Sequence, residues 1–154
     1  MTKKVLIVCL GNICRSPMAE AMLRHRIEER GLSDKIEVSS RATSNWNVGQ
    51  APHAGTRKKL AEYQIDDSGI FSEQIKSEDF ETYDVILGMD KQNIKDLKRM
   101  APLQTHDKIH LYLSVLDNQS VSEVPDPYYT GDFDETYQLL DKATNRWLDE
   151  WENE

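Results

Sequence analysis

An unbroken apolar run, Val5-Leu6-Ile7-Val8, leads directly into Cys9-Leu10-Gly11-Asn12-Ile13-Cys14-Arg15-Ser16-Pro17 and then Met18-Ala19-Glu20-Ala21-Met22-Leu23-Arg24. No other stretch limits the fold so strongly. An apolar run without alternation is the pattern of a strand buried on both faces, and the third segment is rich in good helix formers. Pro17 suits a first helical position, where no N–H donor is needed, and Ser16 then suits the N-cap. A helix is predicted over residues 17–30, stopping at Gly31. Backbone N–H groups converge in such a strand-to-helix turn, and the helix adds roughly half a positive charge at its N-terminus. The turn is therefore an anion cradle, with the Cys9 thiol at one end and the Arg15 guanidinium at the other.

A thiol in a phosphate-sized cradle points to nucleophilic attack on phosphorus. The thiolate is the reactive form, and a helix N-terminus and a guanidinium both favour it. That alone is insufficient, because thiolate nucleophilicity falls as basicity falls. Arg15 and the converging N–H groups must also hold the three equatorial oxygens of the transferring group.

The chain carries only two cysteines, Cys9 and Cys14, both inside the turn. A structural disulfide framework is not expected. Two readings of Cys14 stand side by side. It forms a reversible bridge with Cys9 that silences and protects the nucleophile, or it is a small hydrophobe packed under the turn. His106 and His110 lie on a predicted loop and a predicted strand, with no Cys or carboxylate cluster to complete a zinc site. No metal and no cofactor are expected. The net charge of −8 argues against binding nucleic acid or an anionic membrane. No apolar run reaches the roughly 18 residues of a membrane span, and no signal-peptide pattern opens the chain. A cytoplasmic protein is expected. The 154 residues suit one domain, 1–154, with its own core.

Downstream, strands and helices alternate. A second strand is predicted over 35–40, followed by a polar loop over 41–53 in which Trp46 is conspicuous. His53 is read as a cap of the next helix, 56–63, or as a structural hydrogen-bonding group. Tyr83-Asp84-Val85-Ile86-Leu87-Gly88-Met89 gives a third strand. Asp90 caps a helix to about residue 100 with Ile94, Leu97 and Met100 on its inner face, and Pro102 ends it. A fourth strand covers 109–113. The last helix covers 134–151, packed through Tyr137, Leu140, Thr144, Trp147 and Trp151. The alternation indicates an α/β sandwich, with the cradle at the carboxyl ends of the strands.

Cys9-x5-Arg15-Ser16 after the first strand, the aromatic loop Ser44-Asn45-Trp46-Asn47-Val48-Gly49 and the late motif Asp126-Pro127-Tyr128-Tyr129 stand in one order along the chain. Together they resemble the low-molecular-weight protein tyrosine phosphatases, in particular bacterial members. The resemblance spans nearly the whole sequence and implies a three-layer sandwich around a four-stranded parallel sheet of order 2-1-3-4. It implies that Cys9 attacks phosphorus to form a phosphocysteine and that Arg15 binds the phosphate. Asp126 protonates the leaving phenolate and then activates water. It also implies that Asn12, bonded to Ser40, holds the loop, and that Ser16 donates to the Cys9 sulfur. Leu10, Gly11, Asn12, Ile13, Cys14 and Ser16 surround the phosphate, while Trp46, Tyr128 and Tyr129 line the mouth. The implied partners are phosphotyrosine proteins, with a phosphate or sulfate ion in the loop, on a monomer or weak dimer.

The sequence departs from the family pattern at Arg41-Ala42-Thr43. It also has Ile70 and Glu73 where many members carry a His and an Arg, which bears on substrate preference. Three other readings stand beside it. Thioredoxin-coupled arsenate reductases share the loop but need two further cysteines, which this chain lacks. Protein-arginine phosphatases carry Thr at the position of Ile13, whose branched apolar side chain favours a phenyl phosphate. A binding module without catalysis would not need the matched catalytic positions intact.

Overall fold

The computed structural model describes residues 2–116 and 121–154. Its centre is β1 (Lys3–Cys9), whose burial explains the apolar run. Val5 and Ile7 belong to one core cluster, with Met18, Met22, Leu23, Tyr137 and Leu140. Leu6 and Val8 belong to another, with Phe80, Ile86, Leu97 and Ile109. Successive side chains of a strand point to opposite faces, so a strand covered on both sides has no polar position to offer.

Around β1 lie β2 (Ile36–Ala42), β3 (Val85–Gly88) and β4 (Ile109–Leu111). All neighbours pair in parallel, in the order β2-β1-β3-β4. One face is covered by α1 (Arg15–Glu29), α2 (Ala54–Glu62) and α6 (Phe133–Glu152). The other is covered by α3 (Ser77–Thr82) and α4 (Lys91–Met100). A short α5 (Pro127–Thr130) precedes α6. This is the expected three-layer sandwich with the expected strand order. Among the described residues, no helix is long and apolar enough to cross a membrane.

The differences from the sequence expectations have local causes. Helix α1 begins at Arg15, with Cys14 at the N-cap and no side-chain cap bond, so Ser16 is a first-turn residue and not the cap. Its hydroxyl is engaged elsewhere, 3.0 Å from Cys9 Sγ. Strand β2 runs on to Ala42 because Ala42 pairs with Cys9 and bridges to Gln74. Strand β4 stops at Leu111, where a 3-10 turn, Tyr112–Val115, takes over. That turn buries Tyr112 against α6, with its hydroxyl 2.6 Å from Thr144 Oγ1 and its carbonyl accepting from Trp147 Nε1 at 2.7 Å. Met100 is 43% exposed, so the inner face of α4 rests on Leu97 with Ile94 partly buried. Asp90 caps α4 as expected, accepting from Asn93 N at 2.8 Å. His53 caps α2, its Nδ1 accepting from Gly55 N at 2.9 Å.

Candidate active site

The loop between β1 and α1 is closed from outside. Each residue of such a turn carries a carbonyl that must find a donor if its N–H is to face inward. Thr43 N donates to Cys9 O at 3.0 Å, and Ser44 donates to Leu10 O through both its N–H (3.1 Å) and its hydroxyl (2.8 Å). Ser72 Oγ donates to Gly11 O at 2.9 Å. His53 N donates to Ile13 O at 2.7 Å, and Thr56 Oγ1 to Cys14 O at 3.1 Å. The donors come from the chain after β2, from the start of α2 and from the segment before α3. With the carbonyls drawn outward, the partner N–H groups of the same planar peptides are turned inward.

Within the loop, Asn12 adopts φ +56°, a left-handed conformation uncommon for a non-glycine. Its side chain is 1% exposed and fully used. Glu73 N donates to Asn12 Oδ1 at 3.1 Å. A backbone N–H can only donate, so this bond fixes which end of the amide is oxygen. Nδ2 then donates to Ser16 Oγ at 2.6 Å and to Ser40 Oγ at 2.9 Å. Ser40 in turn donates to Glu20 Oε1 at 2.6 Å. Because Ser16 Oγ accepts from Asn12, its own hydrogen is free to point at Cys9 Sγ, 3.0 Å away. Burial raises the Glu20 carboxyl above its ordinary pKa, more than the Ser40 bond and the charges of Arg24 and Arg41 lower it.

Arg15 lies in the first turn of α1 and is 2% exposed. Its Nη1 donates to Asp90 Oδ2 at 2.7 Å and to Val124 O at 2.9 Å, while Nη2 reaches Asp126 Oδ2 at 3.4 Å. Nε has no hydrogen-bond partner among the described residues. Burial opposes the charge of this guanidinium, but Cys9, Asp90 and Asp126 together outweigh it and hold its pKa above the ordinary value. For Cys14 the balance is opposite. Burial first, then the charges of Asp126 and Cys9, push its thiol up to about 12. Both cysteines are buried and free in this structure.

A cavity of about 250 Å³ opens above the loop. It is lined by Cys9, Leu10, Gly11, Ile13 and Cys14 of the loop, by Trp46 and Asn47, and by Asp126, Tyr128 and Tyr129. The three aromatic residues stand out of the surface, at 69%, 59% and 74% exposure. Asp126 is the N-cap of α5, accepting from Tyr128 N at 3.1 Å, with Pro127 at the first helical position. The side chains of Asn12, Ser16 and Ser40 do not line the cavity; they brace the loop from behind.

Sequence alone did not single out Asn47, Ser72 or the pairing of Asp90 with Arg15. Asn47 Nδ2 lies 2.7 Å from where a Cβ on Gly11 would sit, so any side chain there would push the Asn47 amide off the loop. Asp90 was read as a helix cap, and it is one, yet its other oxygen anchors Arg15. Its position just past β3, at the carboxyl end of the sheet beside the crevice, was the available signal. Nothing local marks Ser72.

Cys9 and Asp126 thus face one cavity under exposed aromatic side chains, with Arg15 clamped by Asp90 beside it, an arrangement suited to taking a phosphate monoester. The family model for low molecular weight phosphotyrosine protein phosphatases matches residues 4–154, and the chain belongs to that family. It is 42% identical over 145 residues to the low molecular weight protein-tyrosine-phosphatase PtpA of Staphylococcus epidermidis, covering 94% of this chain and 91% of that one. The crystal structure of YfkJ from Bacillus subtilis superposes with a TM-score of 0.97 at 37% identity, covering 99% of this chain and 96% of that one. A Drosophila arginine phosphatase superposes with a TM-score of 0.89 at 33% identity, covering 96% and 97%.

Proposed function

We propose that this member of the family hydrolyses phosphotyrosine in proteins through a phosphocysteine on Cys9. The phosphate sits in the loop over Cys9, its oxygens held by the inward N–H groups of residues 10, 11, 12, 14 and 15 and by the Arg15 side chain. The Cys9 thiolate displaces the phenolate from phosphorus, forming the S–P bond as the P–O bond to the ring breaks. Asp126 gives its proton to the departing oxygen. The same carboxylate then takes a proton from water as that water attacks the S–P bond, and inorganic phosphate leaves with Cys9 restored as thiolate.

The observation that carries this reading is the single cavity that brings Cys9 together with Asp126 beneath Trp46, Tyr128 and Tyr129. A flat phenyl ring fits between exposed aromatic side chains, which favour offset or edge contacts with it. Arg15 Nε, buried with no hydrogen-bond partner among the described residues, is the donor left for a phosphate oxygen. Ile13 on the lining favours a phenyl over a guanidinium leaving group. The structural likeness to an arginine phosphatase makes phosphoarginine the reading to be excluded.

The deciding experiment compares a phosphotyrosine and a phosphoarginine peptide with the reduced protein. Rapid release of phosphate from phosphotyrosine, abolished by Cys9→Ser, supports the proposal. Preferential release from phosphoarginine replaces it with the arginine phosphatase reading.

A further inference from the structure

Gly11 and Asn12 share a peptide group, and among the tethered peptide groups of the loop it is the least redundantly held. Of the five tethered carbonyls, those of Cys9 and Ile13 accept a backbone N–H, and that of Leu10 accepts both a backbone N–H and a hydroxyl. The Cys14 carbonyl accepts Met18 N at 3.3 Å besides Thr56. Only the Gly11 carbonyl depends, among the described residues, on a side chain alone: the hydroxyl of Ser72. Ser72 is 1% exposed, and the loop is its one side-chain contact by hydrogen bond. Its backbone is fixed independently by two bonds to the aromatic loop, Gly49 N to Ser72 O and Ser72 N to Gln50 O, both 2.8 Å. The hydroxyl is therefore presented from a rigid support and is not itself needed to hold that support.

The chain contains no cis peptide bonds among the described residues. In a trans peptide the N–H points opposite to the C=O. Pinning the Gly11 carbonyl toward Ser72, outside the loop, aims the Asn12 N–H inward. This is the step at which the backbone needs enforcing, because Asn12 sits at φ +56° and such strain persists only where the surroundings over-determine it. Glu73, the next residue, holds the same unit through its N–H bond to Asn12 Oδ1.

We infer that Ser72 is a positioning residue for phosphate binding: by holding the Gly11 carbonyl outward, it aims the Asn12 amide at the phosphoryl oxygens. The inference rests on the phosphatase reading only in taking the bound anion to be a phosphoryl group. Ser72 touches neither the substrate nor Cys9. Its loss should weaken the hold on phosphate and leave the nucleophile's own environment alone, since the Ser16 bond to Cys9 Sγ is untouched.

The test uses Ser72→Ala and Ser72→Cys in the full chain. Cysteine keeps the volume but is a weak donor, so both variants should behave alike. Calorimetric titration with inorganic phosphate should show affinity reduced about tenfold, the scale of one well-aimed hydrogen bond to a charged group. The rate at which neutral iodoacetamide alkylates Cys9, followed by peptide mapping, should be unchanged. With an aryl phosphate, KM should rise by a similar factor while kcat falls little. Wild-type phosphate affinity in either folded variant overturns the inference. So does a change in Cys9 alkylation as large as the change in phosphate affinity, because the loop would then have lost its shape as a whole. If the alanine variant does not fold, the cysteine variant decides. If the wild type turns over no phosphotyrosine, the proposed function fails while the phosphate titration still judges Ser72. A wild type that binds no phosphate overturns both.

Discussion

The two sides of the cavity are held in opposite ways. The Cys9–Ser16 side is buried and tied from several remote segments, by bonds to its carbonyls and to the Asn12 side chain. On the Asp126 side, Val124 N donates to Met89 O at 2.9 Å and Arg15 reaches Val124 O, but Asp126 itself is held by Tyr128 N of its own short turn at 3.1 Å and meets the more remote Arg15 only at 3.4 Å. Tyr128 and Tyr129 are largely exposed. The difference matches the work that the proposed mechanism assigns to each side. An anion site gains most from donors already aimed, with no reorganisation left at the moment of reaction. A proton donor that must also admit a leaving group and then a water needs room to adjust. Arg15 belongs to both sides, and its bonds to Asp90 and Val124 register one against the other.

If this contrast is right, damage on the two sides should read out differently. Asp126→Asn should give the larger effect, lowering kcat by about 10²–10⁴-fold, the range of a general acid. Its thermal stability and phosphate affinity should be close to wild type. A variant that instead loses phosphate binding would place Asp126 in the anion site and erase the distinction.

Asn12→Ala comes next and should damage stability and chemistry together. It strands the Glu73 N–H and removes the donor to Ser16 and Ser40. A loss of about 2 kcal/mol is expected from buried groups left without partners, or roughly 4–8 °C in Tm. Thermal unfolding and kcat/KM on the same preparation check both.

Tyr129→Ala should act on binding alone. An aromatic contact is worth about 0.5–1.5 kcal/mol, so KM for a phosphotyrosine peptide should rise roughly two- to tenfold. Tm should stay put, because the side chain is 74% exposed. A large drop in Tm would mean that the aromatic side is as tightly built as the loop.

The smallest effect tests the far end of the bracing network. Folding raises the Glu20 carboxyl above its unfolded value, chiefly through burial. The folded state then holds this proton more tightly, so its contribution to stability is full below the unfolded pKa of about 4.3 and is lost as pH rises through the folded value. Glu20→Gln keeps an acceptor for Ser40 and removes the titration. Relative to wild type, its Tm should improve between pH 4 and pH 7. An unchanged difference across that range would mean that Glu20 does not titrate differently in the fold.

Much of the frame was legible because it depends on short-range pattern. The strand at Val5–Val8, the turn after it, the Asp90 cap and the face of the last helix each show in a few adjacent residues. The beginning of α1 was misplaced because Ser16 has the chemistry of a cap, while its hydroxyl is committed to Cys9 and Asn12. The catalytic candidates were legible through motif resemblance. Their support was not, because the tethers at Ser72 and Glu73 come from about sixty positions away in sequence (|i−j| of 61). A serine before a short helix carries no mark of the carbonyl it will meet. The Asp90–Arg15 pair spans 75 positions, and the local role of Asp90 as a cap was sufficient to explain it in isolation.

The bracing network also has a consequence for proton traffic. Three of its hydrogens run in fixed directions: Asn12 gives one to Ser40 and one to Ser16, and Ser40 gives its own to Glu20, while Ser16 and Cys9 share the last contact at 3.0 Å. An amide NH₂ cannot accept a proton, so Asn12 breaks any relay between the Glu20 carboxyl and the Cys9 sulfur. Behind the nucleophile the protein is a proton insulator. The sulfur is thereby left to exchange protons with the cavity it faces, where Asp126 also stands, and not with the carboxyl buried behind the loop.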